Sequence, residues 1–139
     1  MSEYISYRSG YKYQLAEDFI IKIDIFPDQT VDMEFIGLSL DGWLTVRSGY
    51  AWDGPSGPVV DTTRNMRASL VHDALYQILR CQLLPANKKE AADQLFKKIC
   101  INDGVDELTA QMFYLGLKIG GKPATEPRNK KPTLKAPWR

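Results

Sequence analysis

The first half of the chain alternates apolar and polar residues with a period of two, the signature of strands that bury one face. Phe19, Ile21, Ile23 and Ile25 share one side of a strand, and beyond Pro27-Asp28-Gln29-Thr30 the residues Val31, Met33 and Phe35 alternate with Asp32 and Glu34, which predicts a hairpin. A second hairpin is predicted where Asp41-Gly42 separates Leu38 and Leu40 from Leu44 and Val46. Asp-Gly there suits the positive φ angles of a two-residue type I′ turn. Tyr7, Tyr11 and Tyr13 suggest a further edge strand.

In the second half the apolar period becomes helical. Asp61, Thr62 and Thr63 offer N-caps to a helix reaching about Cys81, with Leu70, Val71, Ala74, Leu75 and Ile78 on one arc. Asn87 and Glu90 have capping-box spacing and open a second helix through Ala91, Ala92, Leu95, Phe96 and Ile99, which Gly104 stops. A third runs from about Asp106, with Leu108, Met112, Leu115 and Ile119 as its expected buried face, to Gly120-Gly121. Strands followed by helices predict an α+β fold, N-terminal antiparallel β-hairpins packed with a C-terminal three-helix segment.

Between the halves lies Ser48-Gly49-Tyr50-Ala51-Trp52-Asp53-Gly54-Pro55-Ser56-Gly57-Pro58, a predicted loop rich in glycine and proline. Such backbone can approach a ligand closely and turn its carbonyls or amides toward an ion. Gly49, Tyr50, Gly54 and Ser56 are its candidate ligand-binding residues, and Asp53 its candidate metal ligand.

At 139 residues the chain is expected to form one domain, placed at residues 1–121. Hydrophobic and charged contents of 44% and 25% are ordinary for a globular protein, and no apolar run approaches a membrane span. The start, Met1-Ser2-Glu3-Tyr4, lacks the basic and apolar regions of a secretory signal, so a cytoplasmic location is expected. Cys81 and Cys100 read as packing residues. The net charge of +1 hides an asymmetry: residues 122–139 hold six Lys/Arg against one acid, with four of the eight prolines, so residues 1–121 are net acidic. That segment reads as a basic C-terminal arm, either solvated or docked on a neighbouring protein, an acidic lipid surface or nucleic acid, with Trp138 favouring docking. Apart from the arm's charge, no nucleic-acid motif is present, and there is no P-loop and no Gly-x-Ser-x-Gly elbow.

The chemistry concentrates in Leu70-Val71-His72-Asp73-Ala74-Leu75-Tyr76, which carries the only histidine of the chain. An unperturbed histidine has a pKa of about 6.5, which makes His72 the first candidate for a general base at neutral pH. At about 100° per residue, Ser69, His72, Asp73, Tyr76 and Arg80 form a polar stripe beside the apolar arc. If the first two helices pack antiparallel across Gln82–Ala86, Asp93 approaches His72, fixes its tautomer and leaves the other ring nitrogen free, while Tyr76 hydrogen-bonds Asp93. Asp73 projects about 100° away and is expected to face the loop or a metal, calcium being the ion suited to one carboxylate and several carbonyls. Zinc fits less well, since one histidine and two dispersed cysteines do not make a usual tetrahedral set, although His72, Asp73 and Asp93 or Asp53 could make a hydrolytic one.

Three ordered motifs, Gly49 to Pro58, Ala68 to Tyr76 and Glu90-Ala91-Ala92-Asp93-Gln94-Leu95-Phe96, resemble the family filed as domain of unknown function 1353, over roughly residues 10 to 121. Pro55 departs from that family's pattern, in which a small residue is more frequent. The resemblance brings no activity, but this family occurs mainly in bacteriophages and prophages, which implies phage virion proteins as partners of the arm. More loosely, the His-Asp-x-x-Tyr helix preceded by a glycine-rich loop is similar to the core of phospholipase A2 enzymes. That resemblance implies His72 as base, Asp93 as its orienting partner, Tyr76 as support, Asp73 with loop carbonyls as a calcium site, and a lipid or cell-wall substrate. It lacks the residue-by-residue calcium loop and the cysteine framework, and a β-rich amino-terminal half is foreign to it. The expectations are therefore a phage-associated hydrolase or, in the alternative, a non-enzymatic tail or baseplate component.

Overall fold

The computed structural model describes residues 5–8, 13–53, 62–121 and 125–127. Among the described residues seven short strands precede the helices: β1 (Tyr7–Arg8), β2 (Tyr13–Leu15), β3 (Phe19–Lys22), β4 (Val31–Asp32), β5 (Ile36–Leu38), β6 (Trp43–Val46) and β7 (Ala51–Trp52). They are followed by α1 (Met66–Arg80), a 3-10 turn (Ala86–Lys88), α2 (Lys89–Asn102) and α3 (Glu107–Gly120). The fold is α+β, with antiparallel strands first and three helices after.

The strands form two antiparallel sheets, ordered β1-β2-β7 and β3-β6-β5-β4. Alternation placed the faces correctly: Phe19, Ile21, Ile23 and Ile25 are buried. It did not place the partners. β3 and β4 are not a hairpin, because β3 pairs with β6, Ile21 opposite Leu44, while β4 lies at the far edge beside β5. The β5–β6 hairpin thus sits between two strands that are neighbours in sequence, and periodicity alone carries no information about that insertion.

The β5–β6 connection also differs from expectation. Ser39 N–H donates to the Trp43 carbonyl at 3.0 Å and Gly42 N–H to the Ser39 carbonyl at 3.1 Å, so the loop is Leu40-Asp41-Gly42. Only Gly42 takes a positive φ, 91°, which fits a tight turn closed by a glycine bulge rather than a two-residue type I′ turn. A side chain at Gly42 would overlap the Ile23 carbonyl oxygen. Within the expected glycine-rich loop, Ala51 and Trp52 are in fact strand β7, paired with β2.

Both sheets and α1 share one apolar core. Leu70, Val71, Ala74, Leu75 and Ile78 of α1 are all buried, and Trp52 ties the first sheet to α1 by donating its indole N–H to Ser69 Oγ at 3.0 Å. α1 begins at Met66 with Asn65 at the cap position, later than expected; Thr62 N–H donates to Asn65 Oδ1, shaping the turn before the helix. The Asn87/Glu90 capping box does not form, since Asn87 lies inside the 3-10 turn and the Glu90 carboxylate accepts from the Tyr114 hydroxyl. Asp106 does cap α3, accepting from Thr109 N–H at 3.1 Å.

The expected inner face of α3 is a correction. Ala110, Tyr114 and Leu117 are buried, whereas Leu108, Met112, Leu115 and Ile119 are exposed. The helix has two apolar faces, and α2 takes the one that carries Ala110, Tyr114 and Leu117. Cys81 is half-buried and Cys100 fully buried; both are free, and burial, followed by the charge of Asp103, pushes the Cys100 thiol up to about 12. Among the described residues no helix is long and apolar enough to cross a membrane. The 122–139 arm lies outside the described residues except for Thr125, Glu126 and Pro127.

Candidate active site

α1 and α2 run antiparallel across a short connection, and a fork of hydrogen bonds sets their register. Arg67 at the start of α1 donates Nε to Asp103 Oδ2 (3.0 Å) and Nη2 to Asp103 Oδ1 (2.9 Å), just past the end of α2. Two-pronged pairing of this kind fixes orientation as well as distance. It brings the middle of α1 opposite the middle of α2.

There His72 Nε2 lies 2.7 Å from Asp93 Oδ1, and the Tyr76 hydroxyl donates to the same oxygen at 2.6 Å. Lys89, one turn before Asp93, donates to Oδ2 at 2.7 Å and to the Leu117 carbonyl of α3 at 3.1 Å. Asp93 is 0% exposed, and the His72 side chain retains 8% of its surface. The imidazole packs on the Tyr76 ring, centroids 4.0 Å apart, and meets Phe96 edge-on at 5.3 Å.

Burial by itself would raise the pKa of Asp93. Hydrogen bonds from His72, Lys89 and Tyr76 outweigh it and hold the carboxyl below the usual carboxylate range. Tyr76 moves the opposite way, raised by burial and by its bond to Asp93, so it stays a phenol and a donor. An ionised Asp93 can only accept, which requires the proton of a neutral His72 to sit on Nε2. The lone pair of that ring is then on Nδ1, where a base must carry it.

Asp73 faces away from this network. Its Oδ2 accepts from the Tyr50 hydroxyl, and Gln77 donates to Tyr50 Oη at 2.8 Å and to Asp73 Oδ2 at 3.5 Å. Burial first, then the Asp73 charge, raise the Tyr50 pKa, so Tyr50 is the donor. The two adjacent residues of the helix therefore serve different partners, the histidine α2 and the aspartate the segment leading into the loop. Tyr50 stacks on Trp52 with centroids 6.4 Å apart. Gly49, at φ 98°, spends its backbone within the fold, N–H to the Leu15 carbonyl and C=O from Gln14. Asp53 is exposed, and Gly54 and Ser56 lie outside the described residues.

A calcium ion takes six to eight oxygens. On this side of α1 the described residues offer one carboxylate, with Oδ2 already hydrogen-bonded, and among the described residues no three His, Cys, Asp or Glu side chains form a metal-binding group. The described donor set does not fit calcium without ligands from beyond it.

Three participants escaped sequence reasoning. Lys89 stands four residues before Asp93 and Gln77 four after Asp73, the spacing at which helix side chains meet, and that was the available signal. Gly121 gave none: a Cβ there would overlap Tyr76 Oη and lie 2.6 Å from the Leu117 carbonyl oxygen, so the end of α3 seals the network only because the residue is glycine.

No curated protein and no solved structure matches this chain. The model of a family described as "Protein of unknown function (DUF1353)" matches residues 31–117, a span that begins at β4 and contains His72, Asp73, Tyr76, Lys89 and Asp93. More than half of the chain is covered, so the protein belongs to the DUF1353 family.

Proposed function

We propose that the protein is a hydrolase of esters or amides, of the phospholipase A2 type in its chemistry, with His72 as general base. The observation that carries this reading is the bond from His72 Nε2 to a buried, ionised Asp93 itself held by Tyr76 and Lys89. Nδ1 takes a proton from water as the water oxygen bonds to the substrate carbonyl carbon. The imidazolium so formed is stabilised by Asp93, and it returns the proton to the leaving oxygen or nitrogen as that bond breaks. Asp73, Tyr50 and Gln77 form a separate hydrogen-bonded cluster on α1, and were residues beyond the described set to complete a site with Asp73, calcium held there would supply polarisation of the substrate carbonyl. A lipid or cell-wall substrate and association with a phage particle through the 122–139 arm belong to the same proposal.

A second reading has its own observation. The complete burial of Asp93, with both oxygens hydrogen-bonded, suits a clasp between α1 and α2 in a non-enzymatic virion component. The two separate in a single series. Phospholipid vesicles and peptidoglycan are incubated with wild type and His72→Gln, with and without added calcium, and thermal melting is followed in parallel. Hydrolysis that falls on the order of 100-fold or more in a folded His72→Gln variant supports the base. An inactive wild type on both substrate classes, or a His72→Gln variant of undiminished rate, overturns it.

A further inference from the structure

α3 presents to solvent the side chains that its periodicity assigns to the core. Leu108, Met112, Leu115 and Ile119 are 73%, 63%, 44% and 84% exposed, along the face opposite Ala110 and Leu117. Together they leave on the order of 500 Å² of apolar side chain in water, toward the upper end of the largest patch on a typical monomer. Their spacing of four, three and four residues is that of a coiled-coil seam, in which alternate positions interdigitate with a partner helix.

We infer that this face is covered by α3 of a second copy of the chain, the two helices crossing antiparallel about a two-fold axis between residues 113 and 114. The seam is self-complementary in that direction. Leu108 of one copy meets Ile119 of the other, and Met112 meets Leu115, so each large residue faces another and the same layers recur on both sides of the axis. A two-fold interface requires that property of a single surface. The charges agree with it. At about 100° per residue Glu107 near the start of α3 and Lys118 near its end fall on the same side of the seam, and antiparallel pairing about the two-fold axis keeps that side and brings Glu107 of each copy to the level of Lys118 of the other. Helix dipoles also align favourably when antiparallel. Two such faces bury about 1,000 Å² in total, the lower limit for a specific interface, so the dimer is weak and reversible.

Sedimentation of the full chain over a wide range of concentration tests this. A monomer–dimer equilibrium is expected, weakened at least tenfold by Met112→Lys or by Leu115→Lys while far-ultraviolet circular dichroism and melting of the dilute protein stay unchanged. Glu107→Lys and Lys118→Glu should each weaken dimerisation, and the two together should restore it. Four results overturn the inference: a monomer at every concentration, a dimer indifferent to Met112→Lys and Leu115→Lys, a dimer that forms only after deletion of residues 122–139, or binding of the monomer to lipid vesicles that depends on Met112 and Leu115. The charge pair keeps the register testable even if a lysine in the seam disturbs α3.

Discussion

The inner side of α2 and the outer side of α3 break the same rule in opposite directions. At the first, a carboxylate, an imidazole, a phenol and an ammonium meet where apolar packing would be expected; at the second, four large apolar side chains stand in water. A buried polar group or an exposed apolar patch is more informative than the ordinary arrangement, since each has an energetic cost that something must offset. The polar cluster meets its cost locally, by saturating Asp93 with hydrogen bonds. Nothing among the described residues does the same for the α3 face. The first region is therefore read as a site and the second as an interface.

The largest effect should come from breaking the inner network. Asp93→Ala removes the acceptor of His72 and Tyr76 and leaves Lys89 only the Leu117 carbonyl, and loss of one partner of a buried ionic cluster costs about 3–5 kcal/mol. Urea unfolding measures it, and a loss below about 1 kcal/mol would place Asp93 outside the set of strongly coupled buried charges. The pH dependence has a defined sign. Because the folded pKa of Asp93 is depressed, its contribution is fully present above the unfolded value near about 3.9 and is lost as pH falls through the lower, folded value. Wild type should lose stability across that acid window more steeply than Asp93→Asn.

Gly121→Ala comes next, with about 1–3 kcal/mol for forcing a methyl against Tyr76 Oη and the Leu117 carbonyl. Thermal melting reads the loss, and Tyr76→Phe in the same background should recover part of it by removing the clashing oxygen. Tyr76→Phe alone deletes one of the two donors to Asp93 Oδ1 and should cost about 1 kcal/mol. At the outer face Met112→Lys should change the stability of the dilute monomer by less than about 0.5 kcal/mol. A marked destabilisation there would erase the contrast between the two regions.

Much of this was legible in the chain. Period-two alternation identified the buried faces of β3 and β6, helical periodicity identified the core arc of α1, and the prediction of antiparallel packing brought Asp93 to His72 and Tyr76. Strand partnership was not legible, because β3 and β4 are adjacent in sequence yet belong at opposite edges of their sheet. Asp41-Gly42 pointed to a hairpin but not to its type, which Leu40 and the close approach of the Ile23 carbonyl to Gly42 decide. α3 misled for a physical reason: a helix with two apolar faces does not say which one the monomer uses. Gly121 was invisible as a site residue, since its importance is the space it leaves for Tyr76.

Everything proposed for the site follows from Asp93 holding the neutral ring of His72 with its proton on Nε2 and its lone pair on Nδ1. His72 is the only histidine of the chain, so nitrogen-15 NMR of labelled protein in mildly alkaline solution reports on it without assignment. The expected spectrum has a pyrrole-type Nε2 bearing the proton and a pyridine-type Nδ1. A proton on Nδ1 with a bare Nε2 would contradict it.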